Sequence, residues 1–125
     1  MKVAIIPARG GSKRIPEKSI VNFLGSPLMS YAVRAAEQSG LFDTIHVSTD
    51  SERIADVARS LGHPVDFMRD SRLADDHTPL LPVLKWTLKQ YRKRHRNFDT
   101  ACLVMPTAPL IEADDLRRAD ALFCA

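Results

Sequence analysis

The sequence predicts an α/β fold built on a mainly parallel sheet covered by helices, and three observations predict it. Short apolar, β-branched runs alternate with helix-like stretches along all 125 residues. The first run, KVAIIPA (2–8), is apolar without polar alternation, as a strand buried on both faces requires. Neither a repeat nor a linker interrupts the alternation, so βαβ units with right-handed crossovers follow.

The elements are expected in this order. After the strand at 2–8, residues 9–26 read as a loop punctuated by Gly10, Gly11, Pro16 and Gly25. Ser26 and Pro27 open a helix with Pro27 at its first position, Leu28, Ala32, Ala35 and Ala36 mark its apolar face, and Gly40 closes it. TIHVST (44–49) is a second strand. Asp50 or Ser51 caps a helix that runs to Leu61 and stops at Gly62. PVDFM (64–68) reads as a third strand. A polar loop then leads to a long helix from near Thr78, with Pro82 tolerable in its first turn. TACLVM (100–105) is a fourth strand, and a last helix starts near Asp114.

A chain of this length is one domain's worth, and 45% hydrophobic with 26% charged residues is the balance of an ordinary soluble globular protein. The two cysteines, Cys102 and Cys124, have no metal-ligand or CxxC spacing. Cys102 reads as a small core residue, which fits a reducing compartment. No apolar run is long enough for a leader or a membrane span, so a cytoplasmic protein with no membrane partner is expected. The net charge of +3 is small, and part of it lies in YRKRHRN (91–97), which reads as the solvated C-terminal end of a helix. No aromatic interleaving accompanies it, so a nucleic-acid partner is not expected. The final ADALFCA sits in or just after a helix with no closing strand, so the chain is expected to be the front part of a longer protein. Apolar surface left uncovered would then favour a homodimer or higher self-association.

In parallel sheets ligands bind beyond the carboxyl ends of the strands, which selects the loops at 9–26, 49–51, 69–78 and 106–113. The first is the most informative. Gly10 and Gly11 let backbone N–H groups approach a phosphate, and Ser12 adds a hydroxyl. Lys13 and Lys18 add mobile charges, while Arg9 has the planar fork for a bidentate phosphate contact. Neither GxxxxGK[ST] nor a helix-opening GxGxxG is present. A solvated turn with incidental charge is the competing reading.

IIPARGGSKRIPEKSI resembles the N-terminal signature of the sugar-activating cytidylyltransferases, the CMP-sialic acid synthetase family. LFDTIHVSTDSERIADVA, FMRDSRLADDHTP and MPTAPLI resemble its later segments in the same order, and DDHTPLLPVL and PTAPLI look most like the pseudaminic acid branch. The resemblance implies a three-layer α/β/α, Rossmann-like nucleotide-diphospho-sugar transferase fold, of which residues 1–125 form the N-terminal nucleotide-binding part. It implies CTP and a sugar acid as substrates, CMP-sugar and pyrophosphate as products, and Mg²⁺ carried by the nucleotide with its protein ligands outside this chain. It assigns the triphosphate to Arg9, Ser12, Lys13 and Lys18, with Gly10 and Gly11 shaping the loop and Lys18 and Arg9 nearest the reacting phosphate.

By the same resemblance Ala8 offers backbone contacts, Arg69 reaches the base or ribose, and Asp76 and Thr78 close that side. Met105 and Thr107 lie toward the sugar. Each has a plainer alternative: a surface ion pair for Arg69, a helix N-terminal acid for Asp76, a cap for Asp50, and a rigid Pro106–Pro109 connection around Thr107. Three positions depart from the sialic-acid pattern: Met105 replaces a glutamine, Ile111 an arginine, and Ser19 an asparagine. The first two remove polar groups near the expected sugar site and point to pseudaminic acid rather than N-acetylneuraminate. Legionaminic and 3-deoxy-manno-octulosonic acids are the other candidate acceptors. A non-catalytic nucleotide-binding module is the alternative from another class. The chain alone is expected to turn over little.

Overall fold

β1 (Lys2–Pro7) is the central strand, and its residues from Val3 to Pro7 are buried because both of its faces and both of its edges are covered. In the computed structural model, which describes residues 1–10, 18–73, 80–106, 113 and 115–118, it pairs in parallel with β4 (Thr44–Ser48) on one side and β5 (Thr100–Leu103) on the other. The register runs from Val3 opposite Thr44 to Pro7 opposite Ser48, and from Lys2 opposite Thr100 to Ile5 opposite Leu103.

Alternation along β1 divides the interior in two. Ala4 and Ile6 face α1 (Leu28–Ser39) and α2 (Glu52–Ser60), joining Met29, Val33, Ala36, Ile54 and Ala58 in the larger core. Val3 and Ile5 face α3 (Leu80–Lys93), where Tyr91 and the half-buried Phe67, Leu84, Leu88 and Phe98 complete a second core. The result is the expected α/β/α layering. Leu116 seats the last helical residues on the first core, and Arg117 donates to the Gln38 and Ser39 carbonyls at the end of α1.

Local chemistry explains the helix ends. Ser51 caps α2 by accepting from the Ile54 N–H at 3.3 Å, and Gly40 ends α1 at φ 69°. Pro27 stands one position earlier than expected, as the N-cap of α1. It is extended there because Ser26–Pro27 is a strand, β3, paired antiparallel with β2 (Asn22–Phe23). Residues 18–27 are therefore not simple loop. A 3₁₀ turn at Lys18–Ile20 precedes a two-residue hairpin whose turn, Leu24 (φ 52°) and Gly25 (φ 89°), is of the doubly left-handed kind that matches strand twist.

The expected strand at 64–68 does not form. A strand sends neighbouring side chains to opposite faces, yet Asp66 and Phe67 both reach Tyr91. Pro64 has no N–H to give to a ladder. The solvated reading of 91–97 also holds only in part, because Arg94 lies 4.7 Å over Phe67 and Arg96 stacks on Tyr91 and Phe98. Cys102 is half-buried at the margin of the larger core rather than inside it.

Candidate functional site at the strand carboxyl ends

The chain leaves β1 for β4 on one side and later returns to place β5 on the other. Strand order thus reverses at β1, which puts the crevice of an open parallel sheet beyond its carboxyl end. Ala8, Arg9 and Gly10 emerge there. Ala8 is buried and continues the sheet by donating its N–H to the Ser48 carbonyl at 2.8 Å. Gly10 donates its N–H to Asp50 Oδ1 at 2.8 Å. Asp50 is therefore the anchor of the first loop, and the helix cap falls to Ser51. The buried Thr49 completes this corner, its Oγ1 accepting the Ser51 N–H at 3.0 Å.

Gly10 is dictated by space. A Cβ built on it would stand 2.8 Å from the Ser51 Cβ and 3.6 Å from Asp50 Oδ1. Gly10→Ala must push the loop off the start of α2, at a cost of about 1–3 kcal/mol. Chemical denaturation is expected to show that loss; an unchanged unfolding midpoint would mean the loop does not dock as described.

Arg69 is the most constrained cation of the site. It is only 7% exposed, so the surface ion-pair alternative does not apply. Its Nε and one terminal nitrogen donate to the Ser48 hydroxyl and carbonyl, both at 3.0 Å, and the other terminal nitrogen donates to the Leu73 carbonyl at 3.3 Å. Its own N–H donates to the Thr49 carbonyl at 2.7 Å. Burial lowers its pKa, Asp50 opposes that shift and Arg9 adds to it, so Arg9, Asp50 and Arg69 share one field. Among the described residues two guanidinium cations face one carboxylate in this corner. Asp70 is held by Arg72, whose side chain and N–H lower its pKa to about 2, which pins the turn that follows Arg69.

Lys18 begins the 3₁₀ turn and is exposed, whereas the next two residues are not. Ser19 is buried and Ile20 packs on the larger core, which fixes the turn against α1 and α2 and directs Lys18 outward. Met105, just past β5, is 42% exposed beside the buried Pro106. Gly11, Ser12, Lys13, Asp76, Thr78 and Thr107 lie outside the described residues. Among the described residues no group of three or more His, Cys, Asp or Glu side chains could hold a metal ion, and no helix is long and apolar enough to cross a membrane.

Sequence reasoning missed Ser48 and Thr49 as the partners of Arg69. Small polar residues ending a buried strand were the available signal.

The site is thus a corner of a parallel α/β sheet at whose carboxyl edge Gly10, Arg9 and Arg69 come together. The sequence model of the cytidylyltransferase family matches residues 3–121, and the chain belongs to that family. It is 42% identical over 117 residues to a pseudaminic acid cytidylyltransferase of Campylobacter jejuni, covering 94% of this chain and 50% of that protein. It is 38% identical, with the same coverage of both chains, to a CMP-N,N'-diacetyllegionaminic acid synthase of Legionella pneumophila. The fold is similar to that of a CMP:2-keto-3-deoxy-manno-octonic acid synthetase solved in complex with CTP (TM-score 0.77, 24% identity, 94% of this chain and 44% of that one). The chain spans about half the length of the relatives it matches.

Proposed function

We propose that this chain carries the CTP-binding half of an enzyme that transfers CMP from CTP to a nonulosonic acid, with pseudaminic acid as the acceptor. The anomeric hydroxyl oxygen bonds to the α-phosphorus and gives up its proton, while the α–β phosphoanhydride bond breaks and pyrophosphate leaves. Charge moves onto the departing oxygen in this step, so positive groups around the triphosphate stabilise the transition state more than the ground state. Arg9 and Lys18 have that role here, with Gly11, Ser12 and Lys13 forming the cradle. The Gly10 N–H, expected to meet a phosphate, is instead taken by Asp50 and anchors the loop. Magnesium enters on the triphosphate, as suits an ion that keeps few protein ligands. Arg69, with Ala8, Asp76 and Thr78, bounds the nucleoside side, and Met105 and Thr107 bound the sugar side.

The observation that carries this reading is the corner itself. The loop after β1 is tied to Asp50, and the buried Arg69 stands beside it at the point where strand order reverses. The match to pseudaminic acid cytidylyltransferases and the apolar Met105 support the choice of acceptor.

Calorimetric titration with CTP, ATP, GTP and UTP, each with Mg²⁺, tests the reading. Selective CTP binding is expected. In Lys18→Ala it should weaken about tenfold or more, with a stability change within about 0.5 kcal/mol because Lys18 is exposed. Pyrophosphate release from CTP on adding pseudaminic acid, with the sequence downstream of residue 125 restored, distinguishes an enzyme from a nucleotide-binding module. Equal binding of all four nucleotides would overturn the cytidylyl reading.

A further inference from the structure

At the edge of the second core a polar chain that the proposed chemistry does not use runs from the buried His46 and Tyr91 out to the exposed Asp66. His46 on β4, Asp66 in the irregular segment after α2, and Tyr91 near the end of α3 meet there. The Tyr91 hydroxyl donates to Asp66 Oδ2 at 2.7 Å and lies 3.0 Å from His46 Nδ1. A phenol has one proton, and the carboxylate can only accept it, so His46 Nδ1 carries its own proton and donates to Tyr91. Among the described buried side chains no polar atom lacks a partner. Phe67, next to Asp66, is packed by His46, Trp86 and Tyr91 with ring centroids 4.7–5.6 Å away. After α3 the chain reverses at His95 (φ 62°), which folds Arg96 back over Tyr91 and to 3.9 Å from Asp66.

This cluster and the Arg69 clamp attach the same two pieces of chain. His46 and Ser48 are two residues apart on β4 and share a face. Asp66 and Arg69 are three residues apart, a reach of at most about 11 Å. The segment from 64 to 68 lacks a strand ladder, so side chains must set its position. We infer that Tyr91 is a positioning residue of the candidate nucleotide site: its hydroxyl, held between His46 and Asp66, fixes the segment from which Arg69 enters the corner beside Arg9 and Asp50. The inference rests on the nucleotide-site reading above for its functional consequence and on geometry alone for its structural one.

Tyr91→Phe keeps the ring contacts with Phe67, His46 and Phe98 and deletes only the hydroxyl. In the full chain two results are expected. Amide hydrogen exchange at the Arg69 N–H, bonded to the Thr49 carbonyl, should quicken about tenfold relative to core amides of β1 such as that of Ile5. CTP affinity should fall about tenfold in wild type but not further in an Arg69→Lys background, because the hydroxyl acts through Arg69. The weakened Arg69→Lys binding is measured by competition against a displaceable labelled CTP at millimolar protein. Val83→Ala on the same helix is the comparison: it lowers stability by opening a gap at a buried side chain and should leave both readouts in line with global unfolding. Additive effects of Tyr91→Phe and Arg69→Lys on CTP affinity, or unchanged Arg69 exchange in Tyr91→Phe, would overturn the inference. If wild type binds no CTP, the nucleotide-site reading fails, and the exchange comparison still decides whether Tyr91 sets this segment.

Discussion

Arg69→Ala is expected to lower the unfolding free energy by about 2–4 kcal/mol and to reduce CTP binding beyond calorimetric detection. Three side-chain hydrogen bonds disappear together, two to Ser48 and one to Leu73, and a side chain nearly closed to water leaves a gap. The loss stays below the sum of three separate bonds because the Ser48 carbonyl keeps the Ala8 N–H. Arg69→Lys should recover little of the stability, since an ammonium is a point charge and cannot span a hydroxyl and two carbonyls as a planar fork does. It keeps the cation, however, and should restore weakened, measurable CTP binding. Binding suffers twice, through one lost cation and through release of the turn at Ser71–Leu73 that Arg69 holds by the Leu73 carbonyl. Urea denaturation with calorimetry on the same samples checks both parts. An alanine variant as stable as wild type would mean that Arg69 does not hold β4 to this turn.

The contrast between Lys18 and Arg69 shows what kind of site this is. Lys18 is outward-facing on a turn fixed by Ser19 and Ile20, so its removal should touch binding and spare the fold. Arg69 belongs to both. In the proposed site Arg69 is held in place before any nucleotide arrives, which spares the cost of ordering it on binding.

The sheet was legible because burial leaves a mark on composition. β1 reads as continuous apolar sequence since helices cover both its faces, and Gly40 and Gly62 mark helix ends through left-handed backbone (φ 69° and 90°). PVDFM misled for a physical reason. Its apolar residues serve a packed, irregular segment in which Phe67 fills an aromatic cage, and β propensity records half-buried packing rather than ladder formation. The hairpin at 22–27 escaped notice because Leu24, not Asn or Gly, occupies its first left-handed position. In the site, Arg9, Gly10 and Lys18 could be read locally since they follow one strand. The Arg69 clamp could not, because Ser48, which accepts two of its hydrogen bonds, lies 21 residues upstream. His46, Asp66 and Tyr91 meet only in three dimensions, and nothing in their local sequence marks them.

The buried histidine makes stability depend on pH in a window that can be stated. Burial, the largest cause, and Arg69 depress the His46 pKa from its ordinary 6.5 to about 4, against the opposing pull of Asp66. Above pH 6.5 both folded and unfolded His46 are neutral and the residue contributes no slope. As pH falls from 6.5 toward 4 the unfolded chain takes up a proton that the folded chain refuses, so stability declines, by on the order of 3 kcal/mol by pH 4. The charges facing the imidazole from its neighbours, Asp66, Arg69 and, beyond the Tyr91 hydroxyl, Arg96, set how far the decline runs. Asp70, with its pKa near 2, loses its stabilising pairing only below this window. His46→Asn keeps a side-chain donor for Tyr91 and removes the titration, so its stability should fall less steeply than wild type between pH 6.5 and 4. Unfolding midpoints in urea at half-unit pH steps for the two proteins provide the comparison. Parallel curves would mean that folded His46 accepts a proton as readily as the unfolded chain, and that its burial does not hold it neutral.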